Sequence, residues 1–543
     1  MNLGRRDLVK LGGLTLAGTA LSPSVLWAQT PKRGGSLTLR TWDPPHWDHM
    51  ETGGASYKIH IPMTFTHSRL LKHKAGPGVV PGTFPIEGDL AESWTQPNDT
   101  TYVFKLRKGV RWHAKPPVNG RELTADDVVY TVDRFLKVKG NANAYMLDSV
   151  TKVEPVDRYT VKFTLKEPFA WFLDMIANPM ALAIIAKEVV EKHGDLKKPE
   201  AVIGTGPYML DSYRPNTGIT LVRNPNYFLP GLPYIDRVEM VVDEDNASRM
   251  AAFLSGKYDL GWEFPGTINR TDWVQIKDSL KQKRPNLKTA EFPANVMSHI
   301  SMRTDQKPYS DARVRQAISL AIDRQAIIDQ PLEGVGVFNP PVPAGLKEWS
   351  IPMNQLGEGA RYYKAAPAEA KRLLAAAGYP SGFQAPICFT TYGSTLLVDV
   401  SQMVLKNLKD VGIDARLDQK EYGAYISTCF NGKFDAMAFG PQTPYLDPDN
   451  FLYGQYHAGQ LKNQSHINDP VVEDMLVRQR RTFDVAKRRE ILFEIQKHLA
   501  KQQYYVQMPS SVYVAVWEGA VKNYGPNLGY DYGGRLLHAW LDR

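Results

Sequence analysis

Cysteine is nearly absent from this sequence, since Cys388 and Cys429 are the only two among 543 residues. No Cys-x-x-Cys pair is present, which excludes the common redox motif. The two cysteines could form one disulfide in an oxidising compartment, or both could be buried as small apolar side chains. Because Cys388 lies in an apolar run and Cys429 on a predicted helix, we favour two buried thiols.

Catalytic motifs are also missing. The sequence contains no His-Glu-x-x-His, no Gly-x-Ser-x-Gly and no three-glycine nucleotide fingerprint. His46 and His49 are three residues apart and could share a metal, but histidines in a proline-rich loop are more often exposed or hydrogen-bonded. Asp447 and Asp449 could suggest paired carboxylates or a Ca²⁺ site, although Asp-Pro-Asp-Asn is also ordinary turn chemistry. We therefore predict a protein that is not an enzyme and has no cofactor or metal.

The charge balance and the hydrophobic pattern exclude two further classes. The chain carries 65 basic and 57 acidic residues, a net charge of +8 without any long basic run, so a nucleic-acid partner is not expected. After the N-terminus, no segment reaches the roughly 20 apolar residues that span a bilayer. A chain of 543 residues is too long for one core and should form two or three compact units.

The first 28 residues are predicted to be an export signal. Residues 4–10 match the twin-arginine pattern through Arg5 and Arg6, and a weakly hydrophobic, glycine-rich run follows over residues 11–26. Ala28 offers a cleavage point, and no cysteine lies nearby to carry a lipid anchor. We expect a soluble mature protein in the periplasm.

Local patterns along the chain predict alternating strands and helices. Period-two alternation indicates strands at residues 102–107 and 159–165. Residues 310–324 predict a helix capped by Ser310, followed by a second helix capped by Asp323. The first helix should bury one apolar face, made by Val314, Ala317, Ile318, Ala321 and Ile322. The arginines of this stretch fall outside that face: Arg313, Arg315 and Arg324.

Six short motifs, in order along the chain, together resemble the family 5 (peptide- and nickel-type) solute-binding proteins of ABC importers. They are Ala-Glu-Ser-Trp at 91–94, the strand motif at 102–110, Leu-Thr-Ala-Asp-Asp-Val at 123–128, Gly-Thr-Gly-Pro-Tyr at 204–208, Arg-Val-Arg-Gln-Ala at 313–317 and Asp-Pro at 447–448.

This resemblance implies an α/β, two-lobed periplasmic binding protein fold of type II, in the large peptide-binding class. It implies a hinge near Phe292 and Met508, and an extra subdomain in the first lobe. The expected division is 34–65, 190–291 and 509–543 for the discontinuous lobe I, 66–189 for the extra subdomain, and 292–508 for lobe II.

The resemblance also implies a function. Such a protein captures an organic solute, peptide-like or oligosaccharide-like, between two closing lobes and delivers it to a permease and ATPase complex of the inner membrane. It is expected to be a monomer. The alternatives are a secreted hydrolase exported by the twin-arginine route and a chaperone-like holder of peptides.

Aromatic side chains suit the walls of such a cleft because they bury apolar area with little rotamer entropy to lose. The candidates lie where predicted strands pass into loops: Trp42, Trp47, Trp262, Phe264, Tyr392 and Tyr445. We expect about half of them to face the solute. Gly440, Pro444 and Asp447, in the loop after a predicted strand at 434–439, complete the candidate ligand-binding set.

Two departures from the family pattern concern the ligand. Peptide-binding relatives place an acid shortly before the Asp-Pro turn to hold the free ammonium, and Pro444 occupies that position here. Relatives that bind dipeptides carry an arginine for the carboxylate after the strand that ends near Thr391, but residues 386–405 contain no lysine or arginine. Loss of two charge-assisted anchors disfavours free peptides. Three ligand classes remain as alternatives: a neutral oligosaccharide, a capped or modified peptide, or another organic solute.

Overall fold

Two large β-sheets, joined by two chain crossings, organise the computed structural model, which describes residues 30–51, 56–141, 143–261, 270–392 and 394–543. The lobe I sheet has eight strands. Seven run in the order Lys288–Pro293, Ser510–Trp517, Leu260–Gly261, Ser36–Thr41, Arg237–Val242, Gly218–Arg223 and Tyr208–Arg214. The eighth, Gly336–Val337, pairs with Ser510–Trp517. This sheet draws on the start, middle and end of the chain.

The lobe II sheet has five strands, and its order differs from chain order. The strands are Ile413–Gln419, Phe383–Phe389, Met437–Pro441, Ser298–Met302 and Tyr505–Gln507. A four-stranded antiparallel sheet lies in the segment between the first and later strands of lobe I: Ala91–Asn98, Thr101–Leu106, Thr160–Leu165 and Val150–Asp157. Two short pairs complete the strands: Leu71–His73 with Ile86–Gly88, and Val521–Lys522 with Trp540–Leu541.

Helices cover these sheets. The α-helices are Tyr57–Thr66, Ala125–Lys137, Phe172–Ala177, Lys187–His193, Asn246–Leu254, Arg270–Lys283, Ala312–Ala321, Arg324–Asp329, Pro367–Ala376, Thr395–Asp410, Tyr422–Ser427, Pro448–Tyr456, Pro470–Arg480, Val485–Gln502 and Tyr532–Leu536. The 3₁₀ helices are Ala144–Leu147, Pro199–Ala201, Ala344–Trp349, Met353–Gln355, Gly357–Tyr363 and Cys429–Asn431. Within the described ranges, no helix is both long and apolar enough to cross a bilayer.

Apart from the excursion that brings the short strand Gly336–Val337 beside Ser510–Trp517, the chain passes between the two large sheets at two places that lie side by side. One crossing runs from Phe292 through residues 294–297, and the other runs through Met508. The backbone N–H of Met508 donates to the Ser298 carbonyl at 2.8 Å, and that of Ala294 donates to the Ser511 carbonyl at 3.3 Å. These two hydrogen bonds hold the crossings against each other.

The four-stranded sheet and its helices also contact lobe II away from the crossings. Trp171 is buried there, with its indole N–H donating to the Gln479 side chain at 2.8 Å. The backbone N–H of Ala170 donates to the Arg480 carbonyl at 2.7 Å. One large hydrophobic core therefore includes both the four-stranded sheet and the helices between residues 448 and 502, while a separate core underlies the lobe II sheet.

The helix predicted from residue 310 forms, but its cap differs from the prediction. The helix is Ala312–Ala321, and Asp311 rather than Ser310 is its N-cap, accepting from the Arg313 backbone N–H at 2.8 Å. A carboxylate caps as well as a hydroxyl and also suits the positive end of the helix dipole. Asp323 caps the next helix as predicted, accepting from the Ala326 N–H.

The prediction of two buried thiols is wrong, because Cys388 and Cys429 form a disulfide. Both are buried, as the apolar context of each predicted. The bond is possible because the strand that carries Cys388 and the 3₁₀ helix that carries Cys429 bring their Cα atoms to 6.2 Å, inside the range that a disulfide spans. That distance is a tertiary contact, which the local pattern around each cysteine does not contain.

Candidate functional site

Aromatic rings from distant parts of the chain form a cluster on lobe I. Trp42, just after the first strand, meets Tyr57 edge-on at 5.2 Å between ring centroids. Tyr57, at the start of a helix, stacks on Tyr530 near the other end of the chain at 5.9 Å. The guanidinium of Arg40 lies 3.7 Å from the Trp42 ring centroid, a cation–π contact. We call Trp42, Tyr57 and Tyr530 the lobe I wall.

Three tyrosines form the corresponding lobe II wall, which we define as Tyr392, Tyr422 and Tyr425. Tyr392 meets Tyr422 edge-on at 5.3 Å and Tyr425 at 5.6 Å. Tyr392 follows the strand Phe383–Phe389 and holds a left-handed backbone, with φ at 52°. Such a conformation is uncommon for a bulky residue and occurs more often at binding sites than elsewhere.

The two walls lie within electrostatic range of each other. Burial raises the pKa of Tyr57 to about 12, and the next contribution comes from Tyr422 on the opposite lobe. Burial likewise raises the pKa of Tyr530, which also has Tyr422 and Tyr445 among its neighbours. Tyr422 remains 53% exposed, so this ring stands at the open edge of the cleft. The arrangement offers flat apolar surfaces with hydroxyls at their rims.

Gly440 serves this wall by leaving room for a ring. A Cβ at Gly440 would lie 2.3 Å from the Tyr425 hydroxyl oxygen and 3.8 Å from the Tyr392 ring. That hydroxyl donates to the Phe439 carbonyl at 3.3 Å, which holds Tyr425 against the sheet. A side chain at position 440 would therefore displace the tyrosine.

The loop that carries Pro444 and Tyr445 lies at the junction of the crossing and the extra subdomain. Both residues are buried. The Asn295 side chain, in the first crossing, donates to the Tyr445 carbonyl at 2.8 Å. The ammonium of Lys462 donates to the Tyr445 hydroxyl and lies 4.8 Å from the ring of Tyr145 on the extra subdomain. Tyr445 thus joins three parts of the chain.

Asp447 and Asp449 are both engaged within the protein. Asp447 caps the helix Pro448–Tyr456, accepting from the Asn450 backbone N–H at 2.8 Å and from its side chain at 2.6 Å. Asp449 accepts from Gln479 at 2.5 Å and from Arg480 at 3.1 Å. Burial, and then the neighbouring Asp449, raises the pKa of Asp447 to about 7. These carboxylates hold the helix and the lobe contact, and the described atoms leave no solvent-facing oxygen pair for a Ca²⁺ ion.

Other predicted residues lie apart from this group. Trp47 is buried and packs edge-on against Tyr213 at 5.2 Å, on the lobe I side. Trp262 and Phe264 lie outside the described residues, as do Arg5 and Arg6. The ring Nδ1 of His46 accepts from the Asp48 backbone N–H at 3.1 Å, while burial lowers the pKa of His49 to about 4. In the ranges that the structure describes, no group of three metal-ligating side chains occurs.

Four tyrosines of the two walls were not among the candidates predicted from the sequence: Tyr57, Tyr422, Tyr425 and Tyr530. Tyr57 opens a helix that is buried nearly all round, so no polar face marks its ring as different. Tyr422 and Tyr425 are three residues apart, a spacing that indicates one helical face. That spacing is common in helix packing, so only the neighbouring lobe identifies it as a cleft wall.

Comparison with known proteins gives a consistent result. Residues 85–463 match the model of bacterial extracellular solute-binding proteins, family 5 Middle. The chain is 30% identical over 445 residues to Di/tripeptide-binding protein 3 of Pseudomonas aeruginosa (strain UCBPP-PA14), covering 76% of this chain and 79% of that protein. It is 29% identical over 347 residues to the Glutathione-binding protein GsiB of Escherichia coli (strain K12), covering 62% of each.

A solved structure has the same architecture. The ABC transporter-associated periplasmic binding protein DppA from Helicobacter pylori, in complex with peptide STSA, superposes with a TM-score of 0.77 at 25% identity. The superposition covers 94% of this chain and 99% of that one. The two-lobed α/β fold expected from the sequence is therefore confirmed.

Proposed function

This chain belongs to the bacterial extracellular solute-binding proteins of family 5 and is a solute-binding component of an ABC importer; we propose that it holds an organic solute between the two tyrosine walls without anchoring a free peptide ammonium at Pro444. The observation that carries the proposal is the geometry of two aromatic clusters, one on each lobe: Trp42, Tyr57 and Tyr530 pack together on lobe I, and Tyr392, Tyr422 and Tyr425 pack together on lobe II. The family consists of binding proteins, so the hydrolase alternative is not favoured.

The ligand class follows from what the cleft lacks. Proline at 444 carries no charge, and the two nearest acids along the chain, Asp447 and Asp449, already accept hydrogen bonds inside the protein. A buried ammonium without a charged partner would lose the charge-assisted bonds that make such anchors strong. Aromatic faces and hydroxyls instead favour a solute with flat or apolar surfaces and hydrogen-bonding groups. Capped or modified peptides and neutral oligosaccharides both have those features.

Transport requires that the lobes close on the solute. We infer that the paired crossings at 294–297 and at Met508 are the hinge, and that residues 34–65, 190–291 and 509–543 move as lobe I against 292–508 as lobe II. Residues 66–189 would remain with lobe I, and their contacts with the lobe II helices, such as that of Trp171 with Gln479, would be made in the closed form. Closure excludes water, which strengthens each polar contact with the solute.

Location and partners complete the proposal. The protein would be exported by the twin-arginine pathway, act as a soluble monomer in the periplasm, and dock on a permease and ATPase complex. The relatives named above bind di- and tripeptides or glutathione, which supports a peptide-like solute as one of the two ligand classes.

Two measurements test this function. Native mass spectrometry of the protein purified from its periplasm should show a bound organic solute, and its mass would identify the class. Small-angle scattering of ligand-free protein should then show a smaller radius of gyration when that solute is added back. An unchanged scattering profile at saturating solute would contradict hinge closure, and turnover of the solute would contradict a binding role.

A further inference from the structure

We propose that the Cys388–Cys429 disulfide positions the lobe II wall, so that breaking it weakens solute binding while the lobe remains folded. The inference rests on the proposed function, because it assigns the wall to the binding site. It concerns the helix Tyr422–Ser427, which carries two of the three wall tyrosines. Four observations support it.

One end of the disulfide is fixed in the middle of a sheet. Cys388 lies on the strand Phe383–Phe389, which pairs on one side with Ile413–Gln419 and on the other with Met437–Pro441. Cys388 is opposite Asp418 in one neighbour and Ala438 in the other. A strand paired on both sides is among the least mobile parts of a protein. The same strand leads, three residues after its end, to Tyr392.

The other end lies on a segment with weaker support. Cys429 begins the 3₁₀ helix Cys429–Asn431, directly after the helix Tyr422–Ser427, and the two helices together precede the next sheet strand. Short helices of this kind are marginal alone and depend on tertiary contacts. Among the described contacts of this segment, His466 bonds to the Gly432 carbonyl at 2.8 Å and the Tyr425 hydroxyl bonds to the Phe439 carbonyl at 3.3 Å.

The disulfide is the centre of the small core that supports the segment. That core is distinct from the main core of lobe II and contains Cys388, Tyr425, Cys429, Phe434 and Ala438. Tyr392 packs against this cluster and also against the main core of lobe II. The bond therefore joins, through one buried cluster, the sheet, the helix with Tyr422 and Tyr425, and the loop with Tyr392.

The geometry of the wall leaves little tolerance for displacement. Tyr425 occupies space that a side chain at position 440 would fill, and both Tyr422 and Tyr425 meet Tyr392 edge-on. If the segment shifts by about 1 Å, these contacts and the face presented to the solute change together. Loss of the bond should thus affect the solute site more than it affects the rest of lobe II.

Reduction of the bond is a defined two-electron step. A phosphine reductant attacks one sulfur, the S–S bond breaks, and water supplies the oxygen of the phosphine oxide and the two protons of the Cys388 and Cys429 thiols. A dithiol would give the same two thiols and become a cyclic disulfide. Because both sulfurs are buried within lobe II, reduction should be slow and should require local opening of the segment that carries Cys429.

The test compares three forms of the full-length mature protein: the oxidised wild type, the Cys388→Ala/Cys429→Ala variant, and Leu408→Ala as the matched control. Leu408 is buried in the main core of lobe II, away from the disulfide cluster, so its truncation destabilises the lobe by another route. The probe is the solute released by acid from the wild-type protein and added back to ligand-free protein in a calorimeter. Amide hydrogen exchange of residues 421–432, without solute, is the second readout.

We expect the double cysteine variant to exchange residues 421–432 at least tenfold faster than the wild type, and to bind the probe at least tenfold more weakly. Leu408→Ala, at a similar loss of thermal stability, should leave both values within about twofold. If the cysteine variant fails to fold, folded wild type that is reduced with a phosphine and kept in the reductant, without alkylation, provides the comparison.

Wild-type affinity in the folded, disulfide-free protein would overturn the inference and leave the bond a general stabiliser. Unchanged exchange at 421–432 would also overturn it. If no solute is released and none binds to any form, the proposed function fails, while the exchange readout still decides whether the disulfide holds the wall.

Discussion

Replacing Pro444 with aspartate should give this protein an affinity for free di- and tripeptides that the wild type lacks. Position 444 is buried, and the resemblance to peptide-binding members of the family implies an acid at this position in those proteins. In the wild type, Asp447 and Asp449 cannot easily take over, because Asn450, Gln479 and Arg480 already donate to them.

The expected gain can be estimated from the cost of an unpaired charge. Leaving one partner of a buried ion pair without its counter-charge costs about 3–5 kcal/mol. At about 1.4 kcal/mol per decade, restoring the partner should tighten binding by roughly 10²–10³-fold. The new carboxylate would also lie near Asp447 and Asp449, whose repulsion lowers the gain, so about 10²-fold is the outcome we expect.

Calorimetry with a mixed library of di- and tripeptides measures this gain, and the same library acetylated at its amino ends shows whether the ammonium is responsible. Pro444→Asn is the matched control, since it has nearly the same shape as aspartate and no charge. Equal peptide affinity in the aspartate and asparagine variants would refute the charge argument. Tight wild-type binding, lost on acetylation and again in Asp447→Asn, would show that a different acid holds the ammonium.

Three further predictions concern stability and export. Asp48→Asn should lower the free energy of unfolding by about 3–5 kcal/mol at pH 7, because Asp48 is fully buried and accepts hydrogen bonds from Arg134 at 2.6 and 3.1 Å. Urea unfolding measures the loss of stability, and a loss below about 1 kcal/mol would contradict the prediction. Burial raises the pKa of Asp447 to about 7, so the folded protein binds a proton that the unfolded chain releases, and the free energy of unfolding should fall as pH rises from about 4 to 7. Asp447→Asn should flatten that pH dependence. An unaltered pH dependence in the variant would show that another group causes it. Replacing Arg5 and Arg6 with lysine should leave precursor in the cytoplasm, as immunoblots of cell fractions would show, and normal periplasmic accumulation would remove the twin-arginine interpretation.

Local patterns predicted the elements well where the deciding forces are local. The alternation at 102–107 and 159–165 corresponds to the strands Thr101–Leu106 and Thr160–Leu165, which are half buried with period two. Asp323 caps its helix as expected because a cap depends on residues within one turn. Asp311 replaced Ser310 as the other cap because two capping residues were adjacent, and the choice depends on where the preceding loop arrives.

Other features depend on partners that sequence spacing does not reveal. Arg315 and Arg324 lie outside the apolar face of their helices, yet both are buried. Arg324 donates to the Gln507 carbonyl at 2.8 Å, and Arg315 donates to the Gln502 carbonyl at 3.0 Å. A guanidinium can be buried when carbonyl acceptors surround it. Those acceptors come from a strand and a helix more than 180 residues away, so the pattern alone predicts solvent exposure.

The candidate site shows the same limit in a form that bears on specificity. Trp42 and Tyr445 could be singled out because each follows a strand, but their neighbours Tyr57 and Tyr530 are 473 residues apart and meet only in the folded lobe. Charge, in contrast, can be predicted from the sequence, since an absent acid at 444 stays absent whatever the fold. The structure adds that Asp447 caps a helix and that Asp449 accepts a hydrogen bond from Arg480. Under the proposed function, selection of the solute depends on the shape and hydrogen bonding of the tyrosine walls, and the disulfide that we propose to hold one wall takes part in that selection.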